Sequence, residues 1–238
     1  MTAGGQGDGR QARWRQHNSE RRRQIIAAAI AVVEDGEPGA EVNVARIAER
    51  AGLNRSVIYR HFADRADLDR AVQAQILEDV WQQLVPSLAL DGTVPDVIRR
   101  AVGTYVRWAV DHPALHRLAD HERDGEHGGG PLEQGLARIA HQVREVIALG
   151  LEVLGGVTDG QLADVLDPLV HGVVGGVFSS VRNWLFQPDR RLSPEMLIEL
   201  VSQSVWFVVD GHARSFGVTI DPAQPIQDIV PVVPGAGL

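Results

Sequence analysis

Residues Ala45–His61, ARIAERAGLNRSVIYRH, followed at once by Phe62, are the stretch that decides the fold of this chain. Its first half places apolar residues at the i, i+3, i+4 and i+7 spacing of one helical face. Gly52 follows where a helix should end in a tight turn. Asn54 then offers an N-cap for a second short helix, so the stretch predicts a helix-turn-helix. The apolar positions of the first helix are Val44, Ile47, Ala48 and Ala51.

The second short helix divides into an apolar and a polar face. Val57, Ile58 and Phe62 can face inward. The outward positions carry hydrogen-bond donors and aromatic rings, and an arginine offers paired donors to guanine O6 and N7. We interpret them as a surface that reads a DNA groove, with an ordinary solvated helix face as the alternative. The outward residues are Arg55, Ser56, Tyr59, Arg60 and His61.

The charge distribution agrees with DNA binding at one end of the chain. The net charge of −8 at first argues against nucleic acid. Residues 1–65, however, hold 11 Arg and 8 acidic residues, a net of +3, whereas residues 66–238 hold 12 Arg and 23 acidic residues, a net of −11. A basic head on an acidic body suits a protein that places one end on DNA and keeps the other end away from it.

The composition excludes several other classes of protein. The 238 residues include no Cys, which rules out disulfide scaffolds, thiolate zinc sites and cysteine nucleophiles. No apolar run reaches the roughly 18 residues of a membrane helix, and the Gly- and Arg-rich N-terminus has no signal-peptide core. We therefore expect a cytoplasmic protein with a substantial core, since 44% of the residues are apolar.

Periodicity along the chain predicts an all-α protein of about nine helices. Apolar residues recur at helical spacing, and no segment alternates with the period of two that strands require. We expect a disordered arm over 1–18, a helix-turn-helix domain over 19–65, a second helical domain over 66–216 and an extended tail over 217–238. Beyond the helix-turn-helix, the predicted helices cover about 65–85, 95–111, 115–122, 132–154, 159–187 and 193–216.

Fixed residue types around the helix-turn-helix resemble the TetR family of bacterial transcriptional regulators. The resemblance covers about residues 19–70, and the exclusive use of Arg as basic residue suggests a GC-rich, actinobacterial type. It implies a three-helix DNA-binding domain joined by a long helix to a C-terminal helical domain for ligand binding and dimerisation. It also implies a homodimeric, effector-responsive repressor without enzymatic activity. The matching residues are Ile47, Ala48, Ala51, Gly52, Tyr59, His61, Phe62, Asp64 and Arg65.

Candidate DNA contacts lie on both short helices and just beside them. Asn43 stands where the family usually has Thr or Ser, and it can still cap a helix and donate to a phosphate. Arg46 stands where an acidic residue is common, and it adds a basic group. Arg65 lies at a helix N-terminus, which itself favours a phosphate, and Val57 could touch a thymine methyl group. The full set is Asn43, Arg46, Asn54, Arg55, Ser56, Val57, Tyr59, Arg60, His61 and Arg65.

The N-terminal arm offers another way of touching DNA. Arg10, Arg13 and Arg15 could follow a neighbouring minor groove. An inert flexible tail is the alternative. The sequence does not decide between them.

Aromatic residues gather in the second domain. They make up only 5% of the chain, so their grouping carries weight. The family resemblance implies an effector pocket between helices of such a domain, although the same residues at helical spacing also suit a plain core. Few charges interleave over 97–110 and 165–181, so we expect an apolar pocket for a lipophilic or aromatic effector. The candidate lining residues are Trp81, Tyr105, Trp108, His112, His141, Phe178 and Trp184.

The last two long helices are too apolar for one chain of this size to cover easily. Glycines within a valine-rich run cost roughly 1 kcal/mol each against Ala in a helix, so either a close helix approach or a position in a cavity wall should compensate for them. A symmetric four-helix contact between two chains, as the family implies, would supply the missing surface. Complete packing inside one subunit is the alternative. The candidate interface residues are Gly172, Gly175, Val201, Val205 and Val208.

Nine histidines raise the question of a metal site. His112 and His116 are spaced i, i+4 among acidic residues between 111 and 122, but Pro113 separates them from a common helical face. We expect neither a metal ion nor a cofactor, and His141 and His171 are expected in the core. Two rival functions remain: a small α-helical metal-dependent enzyme, and an architectural DNA-binding dimer without a ligand.

Overall fold

The computed structural model describes residues 5–37, 39, 42–120, 129–153 and 160–229, and over these ranges the chain is all-α as predicted. The same ranges hold ten α-helices, one 3₁₀ turn and no strand beyond an isolated bridge. None of the described helices combines the length and the apolar character needed to span a bilayer. The helices are α1 Gly5–Glu34, α2 Val44–Arg50, α3 Arg55–His61, α4 Arg65–Leu84, α5 Val94–Asp111, α6 Pro113–Ala119, α7 Pro131–Val153, α8 Gly160–Leu185, α9 Pro194–Ser215 and α10 Ile226–Ile229, with the 3₁₀ turn at Val85–Leu88.

The first compact unit contains the described residues of 1–77 and 114–132. Its core joins α1, α2 and α3 to the first turns of α4, through side chains that are almost completely buried. The apolar stripe that defines α2 in the sequence is therefore its inward face. The most deeply buried members of this core are Ile25, Ile47, Ile58, Phe62 and Leu68.

Helix α6 belongs to this first unit, although the sequence-based boundary placed it in the second domain. The buried side chain of Gln73 on α4 donates from Nε2 to the carbonyl of Leu118, 2.9 Å away. Arg117 lies against Gly39, where an added Cβ would stand 3.2 Å from its Nε atom. These contacts join residues far apart in sequence, which is why periodicity alone could not assign α6.

The second compact unit contains the described residues of 78–113 and 133–238. Helix α5 begins with a capping box, in which the Asp96 N–H donates to Thr93 Oγ1 and the Thr93 N–H donates to Asp96 Oδ2. Two orphan donors at the helix start are thereby satisfied. Helix α5 packs mainly against α9 and also against α8.

The N-terminal segment corrects the prediction of a disordered arm over 1–18. Helix α1 begins at Gly5, well before Ser19, where the sequence suggested its start. The segment 5–18 contains neither Pro nor a β-branched residue. Extending an existing helix adds hydrogen bonds without a new nucleation cost, so α1 continues outward. Residues 1–4 lie outside the described ranges.

The C-terminal tail is also more structured than predicted. Val218 and Ile226 are buried, and the Ile226 N–H donates to the Gly92 carbonyl at 2.8 Å. Helix α10 follows directly. The spacing of prolines indicated extended coil, but two apolar side chains in the tail find a place in the core of the second unit. Residues 230–238 lie outside the described ranges.

Candidate nucleic-acid interface

The turn between α2 and α3 is set by a glycine and by two backbone contacts. Gly52 has φ +65°, in the left-handed region that L side chains rarely adopt. The N–H of Leu53 donates to the Ala48 carbonyl at 2.9 Å and closes the end of α2. From α1, Gln24 Nε2 donates to the Ala51 carbonyl at 2.8 Å. The turn is thus fixed from inside and from a neighbouring helix.

Helix α3 has the two faces that the sequence predicted. Ile58 and Phe62 are each only 1% exposed, whereas Tyr59 is 47% exposed. Val57 lies between the two faces and is half-buried. The other exposed side chains of this face are Arg55, Ser56 and Arg60. Among the described residues neither of these arginines has an ion-pair partner, so their guanidinium groups are available to a phosphate or a base edge.

Arg22 of α1 braces the C-terminal end of α3. Its Nη1 donates to the His61 carbonyl at 2.6 Å, and its guanidinium carbon lies 4.1 Å from the centre of the Phe62 ring. Its Nη2 is 3.6 Å from Asp67 Oδ1 of α4. No local pattern predicts this brace, because the run of arginines at 21–23 gives no sign of which one faces α3.

The polar residues that flank α2 and α3 play different parts. Asn43 accepts from the Ala45 N–H at 2.8 Å and caps α2 as predicted. Asn54 has the extended backbone of an N-cap, but its side chain makes no capping hydrogen bond, which corrects its expected role at the start of α3. Its side chain and that of Arg46 are exposed. Both can therefore donate to DNA.

Arg65 is not the free phosphate ligand that the sequence suggested. Its Nε donates to Asp69 Oδ1 at 2.7 Å, and its Nη1 donates to the Val42 carbonyl. The side chain therefore ties the start of α4 to the residues just before α2. This contact crosses 23 positions in sequence, and no local pattern announces it.

The imidazole of His61 lies in positive surroundings. Partial burial lowers its pKa below the ordinary value of 6.5, and neighbouring positive charges lower the pKa further. Those charges belong, in decreasing order of effect, to Arg21, Arg60, Arg22 and His17. His61 is therefore mainly neutral at neutral pH.

Residues 25–72 match the family model described as bacterial regulatory proteins, tetR family. This range contains all of α2 and α3, with the parts of α1 and α4 that complete their core. The chain belongs to the TetR family. It is a DNA-binding transcriptional regulator, and the helix-turn-helix just described is its DNA-binding element.

Relatives of this TetR-family chain include regulators and a nucleoid protein. It is 25% identical over 235 residues to an uncharacterised HTH-type transcriptional regulator of Mycobacterium tuberculosis, covering 97% of this chain and 94% of the relative. It is 23% identical over 132 residues to the nucleoid occlusion factor SlmA of Vibrio vulnificus, covering 54% of this chain and 67% of that protein. The mycobacterial relative agrees with the actinobacterial type inferred from composition.

Solved structures share the fold at low sequence identity. A TetR-family transcriptional regulator from Streptomyces coelicolor has a TM-score of 0.61 and 20% identity, with 92% of each chain covered. RolR in complex with resorcinol has a TM-score of 0.58 and 18% identity, covering 93% of this chain and 99% of its own. FadR from Bacillus subtilis in complex with stearoyl-CoA has a TM-score of 0.58 and 16% identity, covering 79% and 97%.

Four rings in the second unit lie close together, and all four are among the predicted pocket residues. The ring of Tyr105 is stacked 6.4 Å from that of Trp108 and 6.5 Å from that of Phe178 on α8, measured between centroids. The ring of His112, at the C-cap of α5, is 5.7 Å from that of Trp108. We refer to these four residues as the ring cluster. It joins α5 to α8 through flat apolar surfaces.

Two other predicted pocket residues have separate partners. Trp81 on α4 lies 5.5 Å from the guanidinium carbon of Arg138, which also pairs with Glu78 at 2.7 Å. Trp184 on α8 is buried, and its Nε1 donates to the Leu192 carbonyl at 3.0 Å. Trp184 therefore anchors the loop between α8 and α9.

The burial of the histidines on α6, α7 and α8 differs from what the sequence predicted. His141 and His171 are exposed, so the prediction of core histidines is wrong for both, because each falls on the solvent side of its helix. His141 Nδ1 lies 3.0 Å from Arg144 Nη2. His116, in contrast, is buried. Within the described ranges, no three His, Asp or Glu residues stand close enough to hold a metal ion, and residues 121–122 lie outside those ranges.

The exposed face of α9 carries four large apolar side chains among polar ones. Val201, a predicted interface residue, is only 6% exposed, so it packs inside its own chain and leaves little surface for a partner. Val205 is half-buried and Val208 is exposed. The sequence showed a wide apolar face on α9 but not which side α5 and α8 would cover. The large exposed residues, which we call the α9 stripe, are Met196, Leu200, Phe207 and Val208.

The glycines of α8 face open space in the single chain. Gly172 is exposed and Gly175 half-buried, and a Cβ added to either would meet no atom within 4 Å. The predicted close approach is therefore not made within the described part of this chain. Packing contacts that would compensate for these helix-weakening glycines must therefore come from outside the described part of the chain.

Proposed function

We propose that this TetR-family regulator is a homodimeric repressor that leaves a pseudo-palindromic operator when it binds a small apolar effector in the cytoplasm. One observation best supports DNA reading by α3. Its outward face is exposed and rich in hydrogen-bond donors, whereas its inward face is buried and its C-terminal end is held by α1. Two copies related by a two-fold axis would enter successive major grooves about 34–36 Å apart. In this arrangement Arg55, Ser56 and Arg60 contact base edges and phosphates, and Tyr59 positions the helix.

The exposed groups beside α3 extend this DNA contact. Arg46 and Asn54 donate to phosphates on either side of the recognition helix, and Asn43 adds the free donors of its amide group. Val57, on the boundary of α3, lies against a thymine methyl group. Phosphate contacts of this kind fix the register of the helix in the groove, and the base contacts carry the sequence preference.

The α9 stripe supports a second copy of the chain as the partner. Phe207 is 61% exposed, and three further large apolar side chains extend along the same helix. Several large exposed apolar side chains on one helix are typical of an interaction site. Gly172 and Gly175 leave room on α8 for another helix to approach closely. Four helices, α8 and α9 from each chain, would then form one isologous contact.

The ring cluster supports an aromatic or acyl effector. Its flat, stacked rings on α5 and α8 offer dispersion contacts and little charge. RolR was solved with resorcinol and FadR with stearoyl-CoA, so related folds hold ligands of both kinds. Such a ligand can weaken operator binding only if it binds one arrangement of the two DNA-binding domains better than the other.

A second candidate function is a ligand-independent DNA-binding dimer of the nucleoid type. The similarity to SlmA favours it, although it spans only 54% of this chain. A narrow operator preference that an apolar ligand abolishes would support the repressor over this candidate. Broad binding that no ligand changes would support the nucleoid-type protein.

The test is selection of duplexes by the purified chain from a random-sequence pool, followed by sedimentation of the complex. We expect an inverted repeat whose half-sites lie about 10 bp apart or a multiple of that, with two chains per duplex or a multiple of two. Resorcinol and stearoyl-CoA then serve as first effector probes. Recovery of no preferred sequence contradicts the proposed regulator, and a ligand that binds tightly but leaves operator affinity unchanged contradicts the induction step.

A further inference from the structure

Beside the recognition helix, α1 carries a row of polar side chains outside the helix-turn-helix. His17, Arg21 and Gln24 are spaced four and three residues apart, which places them on one helical face. Arg21 Nη1 donates to Gln24 Oε1 at 2.9 Å, and Gln24 in turn donates to the Ala51 carbonyl, at the turn before α3. This face of α1 therefore borders the recognition helix.

The neighbouring residue fixes the same part of α1 to the other end of α3. Arg22 donates to the His61 carbonyl and is balanced by the carboxylate of Asp67 on α4. The positive charge of Arg22 is therefore already paired with a carboxylate of the same chain. His17 and Arg21, in contrast, form no ion pair with another described residue, and the partner of Arg21 is the neutral amide of Gln24.

The positive charges of the two helices converge on one imidazole. Arg21 and His17 from α1 and Arg60 from α3 are all close enough to disfavour a proton on His61. The only acidic group joined to this site by a described contact is Asp67, through Arg22. We call His17, Arg21, Arg60 and His61 the α1–α3 cluster. Arg21 and Arg60 carry permanent positive charges with no ion-pair partner among the described residues, so both favour an anion placed beside them.

We propose that the α1–α3 cluster is a phosphate-binding surface, on which the DNA backbone beside the recognition helix lies. This inference rests on the proposed function, because it requires α3 to lie on DNA. It adds two residues of α1 to the operator contact and places them one helix away from the groove-reading side chains.

Proton uptake is the signature of this surface. In the free protein partial burial, and after it the surrounding cations, keep the pKa of His61 low, so the ring is mainly neutral at neutral pH. A phosphate beside it favours the charged ring and raises its pKa. Operator binding then takes up a proton at His61, and affinity rises as the pH falls through the range between the free and bound pKa values.

The stability of the free protein should change in the opposite direction. The pKa of His61 is lower in the folded chain than the unfolded value of 6.5. The unfolded chain therefore binds more protons, so the stability that His61 contributes is present above that pH and is lost as the pH falls through the folded pKa. Acidification thus weakens the free fold while it tightens the complex. A general loss of structure at low pH cannot produce both effects.

The experiment measures the Kd of the full chain for the duplex recovered by selection, at several salt concentrations and from about pH 8 to about pH 6. Arg21→Gln should weaken binding by roughly three- to tenfold and lower the slope of log affinity against log salt by about 0.9 per chain. Arg21→Lys should keep the slope. Arg23→Gln is the matched control, because Arg23 is exposed on the same helix but does not act on His61.

The pH arm compares the wild type with His61→Gln, since other histidines also titrate in this range. The wild type should gain up to about tenfold per pH unit per chain more than the variant, which is one proton taken up. Equal salt slopes for Arg21→Gln and Arg23→Gln, or equal pH dependence for wild type and His61→Gln, would overturn the inference. Failure of the wild type to select any duplex would overturn the proposed function instead.

Discussion

Helices α3 and α9 each have one buried and one exposed face, but their exposed faces are chemically opposite. The outer face of α3 carries Arg55, Ser56 and Tyr59, whereas that of α9 carries Leu200 and Phe207. Polar groups are well solvated in water until a charged partner replaces that water. Each Å² of apolar surface left in water, in contrast, raises the free energy by about 25 cal/mol compared with the same surface covered by another apolar group. The first unit therefore exposes a polar face on α3, whereas the second exposes large apolar side chains on α9, which the proposed dimer would cover.

The largest expected effect is a loss of folding stability, and it comes from a substitution within α3. Phe62→Ala removes a ring that is almost fully buried between α1 and α3, and should lower the free energy of unfolding by about 3–5 kcal/mol. Tyr59→Ala removes an exposed ring three residues away and should change it by less than about 0.5 kcal/mol. Urea unfolding of both variants measures the difference. Similar losses for the two would mean that α3 does not have a buried back.

The next effect tests whether α9 needs a partner. Phe207→Asp places a charge within the α9 stripe and should weaken chain association by roughly 30-fold or more. Gln83→Asp adds the same charge at an exposed position of α4, outside the α9 stripe, and serves as the control. Sedimentation velocity over a concentration series measures the association, and far-UV circular dichroism checks the fold. A chain that associates equally well with Asp at 207 does not use this stripe.

The smallest effects separate two glycines. Gly52→Ala forces a side chain into φ +65° and should cost about 1–2 kcal/mol of stability. Gly172→Ala adds a Cβ that meets nothing in the single chain, and in the Phe207→Asp background it should add about 0.5–1 kcal/mol of helix stability. Thermal unfolding measures both. A loss of stability at position 172 in that background would show that α8 is already closely packed within one chain.

Local signals in the sequence predicted the DNA-binding unit well, because its turn depends on single residues. Gly52 sets the backbone, Asn43 caps α2, and the spacing of apolar residues puts Ile58 and Phe62 inside. The all-α class and the succession of long helices were predictable for the same reason. Each of these features is decided by residues within one or two helical turns of one another.

The parts that could not be predicted depend on contacts between distant residues. The Val42 carbonyl that accepts from Arg65 lies 23 positions away, and the brace from Arg22 to His61 spans 39. Periodicity alone could not show that Val201 faces α5 and α8 while Leu200 faces outward. The start of α1 was misjudged for another reason, since composition measures the tendency to begin a helix rather than to extend one.

In the proposed function the outward face of α3 reads the operator, and a ratio of two affinities measures this reading. That ratio is the affinity for the selected duplex divided by the affinity for a scrambled duplex of equal length, at one fixed salt concentration. Arg55→Ala should lower the discrimination by about 1–3 kcal/mol for each bidentate base pairing that the substitution removes. Arg50→Ala, which removes an exposed arginine paired with Asp35 on the other side of the turn, should leave the ratio unchanged. An unchanged ratio in both Arg55→Ala and Tyr59→Ala would contradict the account.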